Sequence, residues 1–295
     1  MSSQKKLYCE YIDGDGRRQF ETAFFVENSF RSDVNTIYRL NGYVAQGGNG
    51  AVFICYHAQT NEKFAVKFLR VLDPVRRERF EFERMVLSDL QHPNILPVCD
   101  SGLVEMTHRY PIPFIVTEYF STNVVRKVRD EGNFSIDETK KFGKQICEAF
   151  DYLHSQGIVH RDIKPGNFLI EGDRIVVGDF GLAKTVTEEG IDRFWRGGGD
   201  MTPTNEQVGS VWWMSPELID YTKNKTTVVD RRSDLFQIGK VLWYMHTGIV
   251  AAGIPDQDDD QSGGLLYDIV FKAMQMKPEK RFQHAVEMRD ALDKL

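Results

Sequence analysis

Cysteine is scarce in this sequence, and the few cysteines are scattered. They show no C-x-x-C spacing and no histidine cluster nearby; they are Cys9, Cys55, Cys99 and Cys147. Zinc sites and disulfide-stabilised secreted domains need grouped cysteines. The pattern argues against both, and it favours a reducing compartment, so we expect a cytoplasmic protein.

An excess of positive charge is also absent. The chain has 37 Lys and Arg against 43 Asp and Glu, which gives a formal net charge of -6. Binding to nucleic acid or to an anionic membrane usually needs a basic surface. We therefore expect neither of these as a partner.

Long hydrophobic runs are missing as well. The N-terminus is polar (MSSQKK) and does not resemble a signal peptide. The most apolar stretch, 238–254, is interrupted by Lys240 and His246 and is short for a bilayer span. We expect a buried core helix there, and we expect the acidic run at 256–260 to be a solvated loop.

A Walker A sequence is absent too, but a glycine-rich element is present between two predicted strands within 38–57. It reads A-Q-G-G-N-G-A-V, and a dinucleotide fingerprint would need a helix where this chain has a strand. Alone, the element is typical of a hairpin turn. Glycines in such a turn also let backbone amides approach phosphate groups, because no Cβ obstructs them.

The most informative stretch is 160–181, HRDIKPGNFLIEGDRIVVGDFG. It predicts a loop, an apolar strand at 168–170, a turn at 171–173, a second strand at 175–177 and a final polar turn. A plain connection between two core strands does not need so many polar residues in a fixed order.

Four polar residues in this stretch have the chemistry that phosphoryl transfer requires. Asp162 and Asp179 stand near its two ends, with Lys164 and Asn167 between them. One carboxylate can orient a hydroxyl, a carboxylate and an amide can hold Mg2+, and an ammonium can neutralise a phosphate.

The order H-R-D-x-K-x-x-N, followed after one hairpin by D-F-G, resembles the catalytic core of eukaryotic-type protein kinases. The resemblance extends over about residues 38–295. It implies an α+β, bilobal protein-kinase-like fold, with a kinase domain at 37–295. The small β-rich N-lobe would cover 37–120 and the larger, mainly α-helical C-lobe 121–295. Residues 1–36 would be an N-terminal extension outside the resemblance, where alternating apolar and polar positions around D-G-D-G predict a β-hairpin.

The resemblance assigns roles to the four polar residues. Asp162 would accept or orient the substrate hydroxyl, and Lys164 would neutralise the transferred phosphoryl group. Asn167 and Asp179 would hold Mg2+, or alternatively Mn2+, bound with ATP. Little covalent chemistry is asked of such a protein, because positioning and electrostatic stabilisation lower the barrier.

A second catalytic pair is implied upstream. Lys67 ends the apolar strand F-A-V-K, and the resemblance makes it the lysine that orients the ATP phosphates. A helical period over 73–90 contains Glu83, which would hold Lys67.

Other residues are implied as nucleotide contacts by their alignment to the family. Ala45 stands in the place of the first loop glycine, Val52 would pack on adenine, and Thr117 would be the gatekeeper beside the linker. The full set is Ala45, Gly47, Gly48, Gly50, Val52, Ala65, Lys67, Thr117, Glu118, Phe120, Asn123 and Leu169.

The segment after Gly181 ends in M-S-P-E, which is similar to the A-P-E that closes the kinase activation segment. Ser215 replaces the alanine, and Glu217 would pair with Arg281. Asp234 would receive the backbone of the 160–167 loop, Phe236 replaces a usual tryptophan, and His154 would be structural.

The resemblance also implies a basic pocket that orders the activation segment. Its three cations would be Arg79, Arg161 and Lys184. We hypothesise that Glu206 occupies it, while Thr202 and Thr204 are candidate autophosphorylation sites.

Together these features predict a soluble serine/threonine protein kinase that acts on Ser or Thr hydroxyls of proteins, including its own. Lys164 favours this class over tyrosine kinases. Two alternatives are a catalytically weak kinase-like scaffold and a small-molecule phosphotransferase. The first is disfavoured because Lys67, Asp162 and Asp179 are all present, and the second because K-P follows at 164–165.

Overall fold

The computed structural model describes residues 6–12, 15–24, 28–46, 50–105, 111–185 and 211–295. The chain divides into two compact units. One comprises the chain up to Gln91 together with Leu96–Tyr119, and the other comprises His92–Ile95 and Phe120–Leu295.

The first unit is rich in strands. Its described strands are β1 (Lys6–Ile12), β2 (Arg18–Phe24), β3 (Ser29–Arg31), β4 (Ile37–Gln46), β5 (Gly50–His57), β6 (Lys63–Leu69), β7 (Val98–Val104) and β8 (Ile112–Glu118). Six of them form an antiparallel sheet in the order β3-β4-β5-β6-β8-β7. The short strand β3 therefore extends the sheet beyond β4, to which it is joined by a tight connection.

The sheet buries one face because its side chains alternate between two sides. On β6, Val66 and Phe68 are fully buried. Phe68 meets Phe30 from β3 and Phe114 from β8, with ring centroids 5.4 and 5.6 Å away. Aromatic pairs at such distances add to the stabilisation that burial provides.

Strands β1 and β2 pair antiparallel as a separate hairpin that packs on this core. Leu7 and Cys9 are almost completely buried in it. The backbone of Glu10 donates to Arg70 O at 2.9 Å and accepts from Leu72 N–H at 2.7 Å. The hairpin is thereby fixed to the segment that follows β6.

Helix α1 (Pro74–Asp89) completes this unit. Asp73 caps it by accepting a hydrogen bond from the Arg76 N–H at 3.0 Å, and a proline occupies the first helical position. Its buried residues are Phe80, Glu83, Val86 and Leu87. The helix predicted over 73–90 is confirmed.

The second unit is mainly helical. Its described helices are α2 (Val124–Glu131), α3 (Ile136–Ser155), α4 (Pro216–Lys223), α5 (Arg231–Thr247), α6 (Leu265–Ala273) and α7 (Ala285–Leu292). Its strands are short: β9 (Thr122–Asn123), β10 (Ile158–Val159), β11 (Phe168–Glu171), β12 (Arg174–Val177) and β13 (Lys184–Thr185). The α+β class, with a strand-rich N-terminal part and a helical C-terminal part, is confirmed.

Helix α5 runs through the core of the second unit, and it corrects one expectation. The predicted helix over 238–254 ends at Thr247, because Gly248 adopts a left-handed backbone with φ of +73°. A Cβ at Gly248 would lie 2.7 Å from Asn133 Oδ1, so a larger residue would require the Asn133 side chain to move and would be strained at this φ. Ile249 and Ile254 lie beyond the helix and are exposed.

The acidic run at 256–260 is also not wholly solvated as expected. Asp260 is buried, and its carboxylate accepts hydrogen bonds from the Ser262 N–H at 2.8 Å and the Tyr267 N–H at 2.7 Å. It therefore fixes the start of α6. None of the helices described here is both long and apolar enough to cross a bilayer.

Candidate active site

Lys67 and Glu83 form the charged pair of the strand-rich unit. Lys67 lies in the middle of β6, and its Nζ is 2.8 Å from both carboxylate oxygens of Glu83 on α1. The Glu83 side chain is 5% exposed and that of Lys67 is 25% exposed. Removal of either partner would therefore leave a charge in a poorly solvated place.

A side chain of helix α5 fixes the backbone of the 160–167 loop. The carboxylate of Asp234 is fully buried and accepts hydrogen bonds from the His160 and Arg161 N–H groups, both at 3.0 Å. His154 Nε2 lies 2.9 Å from the same carboxylate. Arg161 has a φ of 68°, so these bonds stabilise a backbone conformation that few non-glycine residues adopt.

His160 connects this loop to the turn at 178–181. Its Nδ1 accepts from the Asp162 N–H at 3.3 Å, and its Nε2 lies 3.2 Å from Gly178 O. Because a carbonyl oxygen only accepts, Nε2 is the donor in this contact. Gly178 in turn donates its N–H to Asn167 O at 2.9 Å. The two polar turns are therefore held in a fixed relation.

The side chains of Asp162, Lys164 and Asn167 converge at this loop. Lys164 Nζ lies 2.6 Å from Asp162 Oδ2, and Asn167 Nδ2 donates to Asp162 O at 2.8 Å. Asp162 and Asn167 are buried. The loop therefore brings a carboxylate, an ammonium and an amide close together.

Asp179 follows strand β12 in the 178–181 turn and has a φ of 62°. The next residue, Phe180, is fully buried and packs on the His160 ring with centroids 4.8 Å apart. The predicted hairpin is confirmed, since β11 pairs with β12 from Phe168↔Val177 to Glu171↔Arg174. Asp179 is thus placed by a sheet, an aromatic contact and the His160 bridge.

The predicted nucleotide residues of the strand-rich unit lie on neighbouring strands. Ala45 pairs with Val52, Val52 with Lys67, and Ala65 with Thr117. At Gly50, a Cβ would meet Phe68 O at 2.9 Å, so a glycine is needed for this close approach. Glu118 ends β8, and Gly47 and Gly48 lie outside the described residues.

The remaining predicted nucleotide residues belong to the helical unit. Leu169 pairs with Asn123 in a short sheet. Phe120 is buried, and the Arg174 guanidinium lies 5.4 Å from the centroid of the Phe120 ring. Asn123 also has a local structural role, because its Oδ1 accepts from the Arg126 N–H at 2.9 Å and caps α2. This capping role was not predicted.

Glu217, in the M-S-P-E motif at the start of α4, pairs with Arg281 as predicted. Arg281 donates to both carboxylate oxygens of Glu217, at 2.6 and 2.9 Å, and its guanidinium lies over the Phe236 ring. Ser215 caps α4 by accepting from the Leu218 N–H, and its hydroxyl lies 2.7 Å from that of Ser233. The serine therefore has hydrogen bonds that an alanine could not make.

The three residues predicted to form a basic pocket lie on three different segments. Burial lowers the pKa of Arg79 on α1 from its usual value. Arg161 is buried with its guanidinium 5.0 Å from the Tyr221 ring, and Lys184 pairs with Val159 in a two-stranded sheet. The residues expected to occupy this pocket or to be phosphorylated lie outside the described residues; they are Thr202, Thr204 and Glu206.

Two contributors to the site were missed in the sequence. Gln237 Oε1 accepts from the Ile163 N–H at 2.9 Å, and Lys240 Nζ donates to Trp212 O at 2.5 Å. Both follow Asp234 at intervals of three residues, so they lie on successive turns of α5. That spacing was the available signal.

Comparison with known families matches residues 38–295 to the protein kinase domain. Serine/threonine-protein kinase PknB of Mycobacterium tuberculosis is 31% identical over 280 residues, which is 88% of this chain and 42% of that protein. A probable serine/threonine-protein kinase of Streptomyces coelicolor is 30% identical over 274 residues, which is 85% of this chain and 39% of that protein. A probable serine/threonine-protein kinase of Clostridium perfringens is 29% identical over 280 residues, which is 88% of this chain and 38% of that protein.

This chain spans less than half the length of these curated relatives. The matched region contains the Lys67–Glu83 pair, the 160–167 loop and the 178–181 turn. The loop is bound to a buried aspartate of α5, and the turn follows a short hairpin, as the resemblance implied. The chain therefore belongs to the family of eukaryotic-type protein kinase domains.

Proposed function

We propose that the chain is an ATP-dependent serine/threonine protein kinase. It transfers the γ-phosphoryl group of ATP to Ser or Thr hydroxyls of protein substrates, including its own. The observation that carries the proposal is the convergence of Asp162, Lys164 and Asn167 on a loop whose backbone is anchored to α5. The names of the relatives, which are serine/threonine kinases, support it.

Asn167 is well suited to hold a divalent cation. Its amide nitrogen is committed to Asp162 O, so its Oδ1 is fixed as an acceptor, and within the described part of the chain that oxygen has no hydrogen-bond partner. Amide and carboxylate oxygens are the ligands that Mg2+ prefers. We assign Asn167 and Asp179 as its ligands, with Mn2+ as an alternative. When bound, the metal neutralises charge on phosphate oxygens.

Asp162 is the residue that acts on the acceptor. Its carboxylate orients the hydroxyl and accepts its proton, while Lys164, held 2.6 Å away, supplies positive charge for the transferred phosphoryl group. The backbone bonds to Asp234 and Gln237 keep this loop in one conformation, so little reorganisation is needed during the reaction.

The strand-rich unit supplies nucleotide contacts. Lys67, held by Glu83, orients the α and β phosphates, and the backbone around Gly50 contacts phosphate oxygens. Its other nucleotide residues are Val52, which packs on adenine, Ala65, Thr117 and Glu118. The nucleotide residues of the helical unit are Phe120, Asn123 at the ribose, and Leu169. The pairing of Ala65 with Thr117 supports this grouping.

The test is a phosphorylation assay with Mg-ATP and a general acceptor protein such as casein, followed by phosphosite mapping. Asp162→Asn should lower transfer by about 10^2- to 10^4-fold, the usual effect of a positioned acid or base. It should keep nucleotide binding, measured as thermal stabilisation by Mg-ATP. Asp179→Asn should lose both, because a neutral amide is a poorer ligand for a hard cation.

Asp290→Asn is the matched control, since this aspartate is exposed and pairs with Arg289 on α7. Full transfer by Asp162→Asn would contradict the assignment. Nucleotide binding without any transfer by the parent protein would indicate a scaffold, and transfer to a small molecule alone would indicate the other alternative. The same mapping shows whether Thr202 or Thr204 is autophosphorylated, which remains a prediction together with the pocket for Glu206.

A further inference from the structure

The hairpin β1–β2 lies outside the region that matches the kinase family, and the proposed function gives it no role. Its two faces differ in exposure. Leu7 and Cys9 are each 1% exposed, whereas Tyr8 and Phe20 are 57% and 71% exposed. Successive residues of a strand point to opposite faces, so one face of the hairpin packs on the strand-rich unit and the other faces water.

The inward face of the hairpin joins the core that helix α1 also enters. The cluster of buried side chains that contains Leu7 and Cys9 also contains Phe80 of α1. Burial and the nearby Glu21 carboxylate raise the pKa of Cys9 to about 12, so its thiol is protonated and packs as a small apolar group. The hairpin and the helix are therefore stabilised by the same core.

The backbone of β1 also holds the connection that leads into α1. This connection comprises residues 70–73, between the end of β6 and the start of α1. Glu10 pairs with Val71 as neighbours in a parallel sheet do. Its N–H donates to Arg70 O at 2.9 Å, and its C=O accepts from the Leu72 N–H at 2.7 Å. Both backbone groups of Glu10 thus face the connection rather than β2.

The 70–73 connection links the two partners of the charged pair. It follows β6, which carries Lys67, and it ends at Asp73, the N-cap of α1. Glu83 lies roughly 15 Å further along the helix axis at 1.5 Å per residue, so a change in the direction of α1 at Asp73 displaces Glu83. A displacement of about 1 Å is enough to break its two 2.8 Å bonds to Lys67.

We propose that the hairpin β1–β2 is a positioning element for α1 and, through α1, for the Lys67–Glu83 pair. Its backbone bonds at Glu10 and its packing at Leu7 hold the 70–73 connection in one conformation, which keeps Glu83 within hydrogen-bond distance of Lys67. This inference rests on the proposed kinase function. It assigns a role to a segment that precedes the matched residues 38–295.

The test removes one backbone donor, in Glu10→Pro. Proline lacks the N–H that binds Arg70 O, and because this N–H faces away from β2, the pairing of β1 with β2 remains. The ratio kcat/KM for ATP should fall about 10-fold through misplacement of Lys67, while KM for casein stays the same. Amide hydrogen exchange of a peptide covering 70–90 should become faster. Arg18→Gln is the matched control and should change neither, because it breaks only the ion pair between Arg18 and the Glu10 side chain.

Leu7→Ala tests the packing of the hairpin, and it takes the place of Glu10→Pro if that variant does not fold. It should also lower kcat/KM for ATP and speed up exchange of the 70–90 peptide. Leu7→Met restores most of the lost volume and should recover both values. Tyr8→Ala, on the exposed face of the same strand, is the control for this pair.

A double variant separates positioning from a general loss of stability. If the hairpin acts through the charged pair, Glu10→Pro should change kcat/KM for ATP by less than about 2-fold when Glu83→Gln is already present. The same loss in both backgrounds would overturn the proposal, as would unchanged exchange of the 70–90 peptide in both Glu10→Pro and Leu7→Ala. If the parent protein transfers nothing to casein, the kinase function fails, and exchange alone then shows whether the hairpin holds α1.

Discussion

The two units bury polar side chains in different ways. In the strand-rich unit the core is aromatic and aliphatic, and the charged pair Lys67–Glu83 is inserted at its margin. The helical unit buries many more polar side chains among the residues described. Those on α5 are Ser233, Asp234, Gln237, Lys240 and His246.

The difference follows from how each unit satisfies its backbone. Lys67 lies on a strand whose N–H and C=O groups are paired with β5 and β8, so its position is set by sheet register. The 160–167 loop has no such ladder, and its buried N–H groups need acceptors. Side chains of α5 supply them. The backbone of a reactive residue on an irregular loop therefore depends on distant side chains, whereas the backbone of one on a sheet is held by its neighbouring strands.

The largest effect should come from removing the main acceptor of the loop. Asp234→Asn replaces one carboxylate oxygen by an NH2 group that faces N–H donors, so hydrogen bonds to His160 or Arg161 are lost. The free energy of unfolding should fall by about 3–5 kcal/mol, as for a broken buried charge network. Urea unfolding measures it, and phosphoryl transfer should fall by more than about 10^2-fold.

The matched control is Asp268→Asn, an exposed position on α6. A variant of Asp234 with normal stability and normal activity would mean that the loop keeps its conformation without α5. The loop and the sheet would then not differ in their need for distant side chains.

An intermediate effect is expected in the strand-rich unit. Glu83→Gln keeps the shape of the side chain but removes the charge that holds Lys67. Phosphoryl transfer should fall by about 10- to 100-fold through misplacement of Lys67. The free energy of unfolding should fall by only about 1 kcal/mol, because the sheet and the rest of α1 are unchanged and Lys67 is partly solvated.

Glu81→Gln serves as the control on the same helix, since Glu81 pairs with Arg84 at the surface. Parallel activity assays and urea unfolding of both variants give the result. If Glu83→Gln lost as much stability as Asp234→Asn, sheet register would not be what places Lys67.

The smallest effect is a difference in pH dependence. Burial alone would raise the pKa of Asp260, but hydrogen bonds from Ser262 and Tyr267 and the nearby His246 lower it below its usual value. A lowered carboxylate pKa contributes stability above the unfolded value of about 3.9, and this stability is lost as the pH falls through the folded value. Asp260→Asn should therefore flatten the acid limb of melting temperature against pH.

In the strand-rich unit the sign is reversed. Burial and the hydrogen-bonded Asp100 raise the pKa of Tyr38 above its usual range. This group contributes stability below an unfolded pKa of about 10, and the contribution is lost as the pH rises towards the folded value. Tyr38→Phe should flatten the alkaline limb only. If both variants changed the same limb, the assignment of the two limbs to these groups would be wrong.

Much of the site was accessible from the sequence because its groups are close together along the chain. Asp162, Lys164 and Asn167 lie within six residues, so a single loop conformation brings them together. The hairpin from 168 to 177 has two short apolar runs separated by a polar turn, which predict it locally. Pairing of Lys67 with Glu83 was also predicted, but only by resemblance, since neither residue's surroundings can be read from local pattern.

Local sequence was enough to specify the order of chemical groups, the hairpin from 168 to 177 and the helix over 73–90. Long-range packing instead set the end of α5 at Gly248, the burial of Asp260 and the bond from Lys240 to Trp212 O. The reason is that periodicity shows which side of a helix is apolar, but not which backbone groups a polar side chain will meet. Those partners are distant in sequence, and the packing of the core selects them.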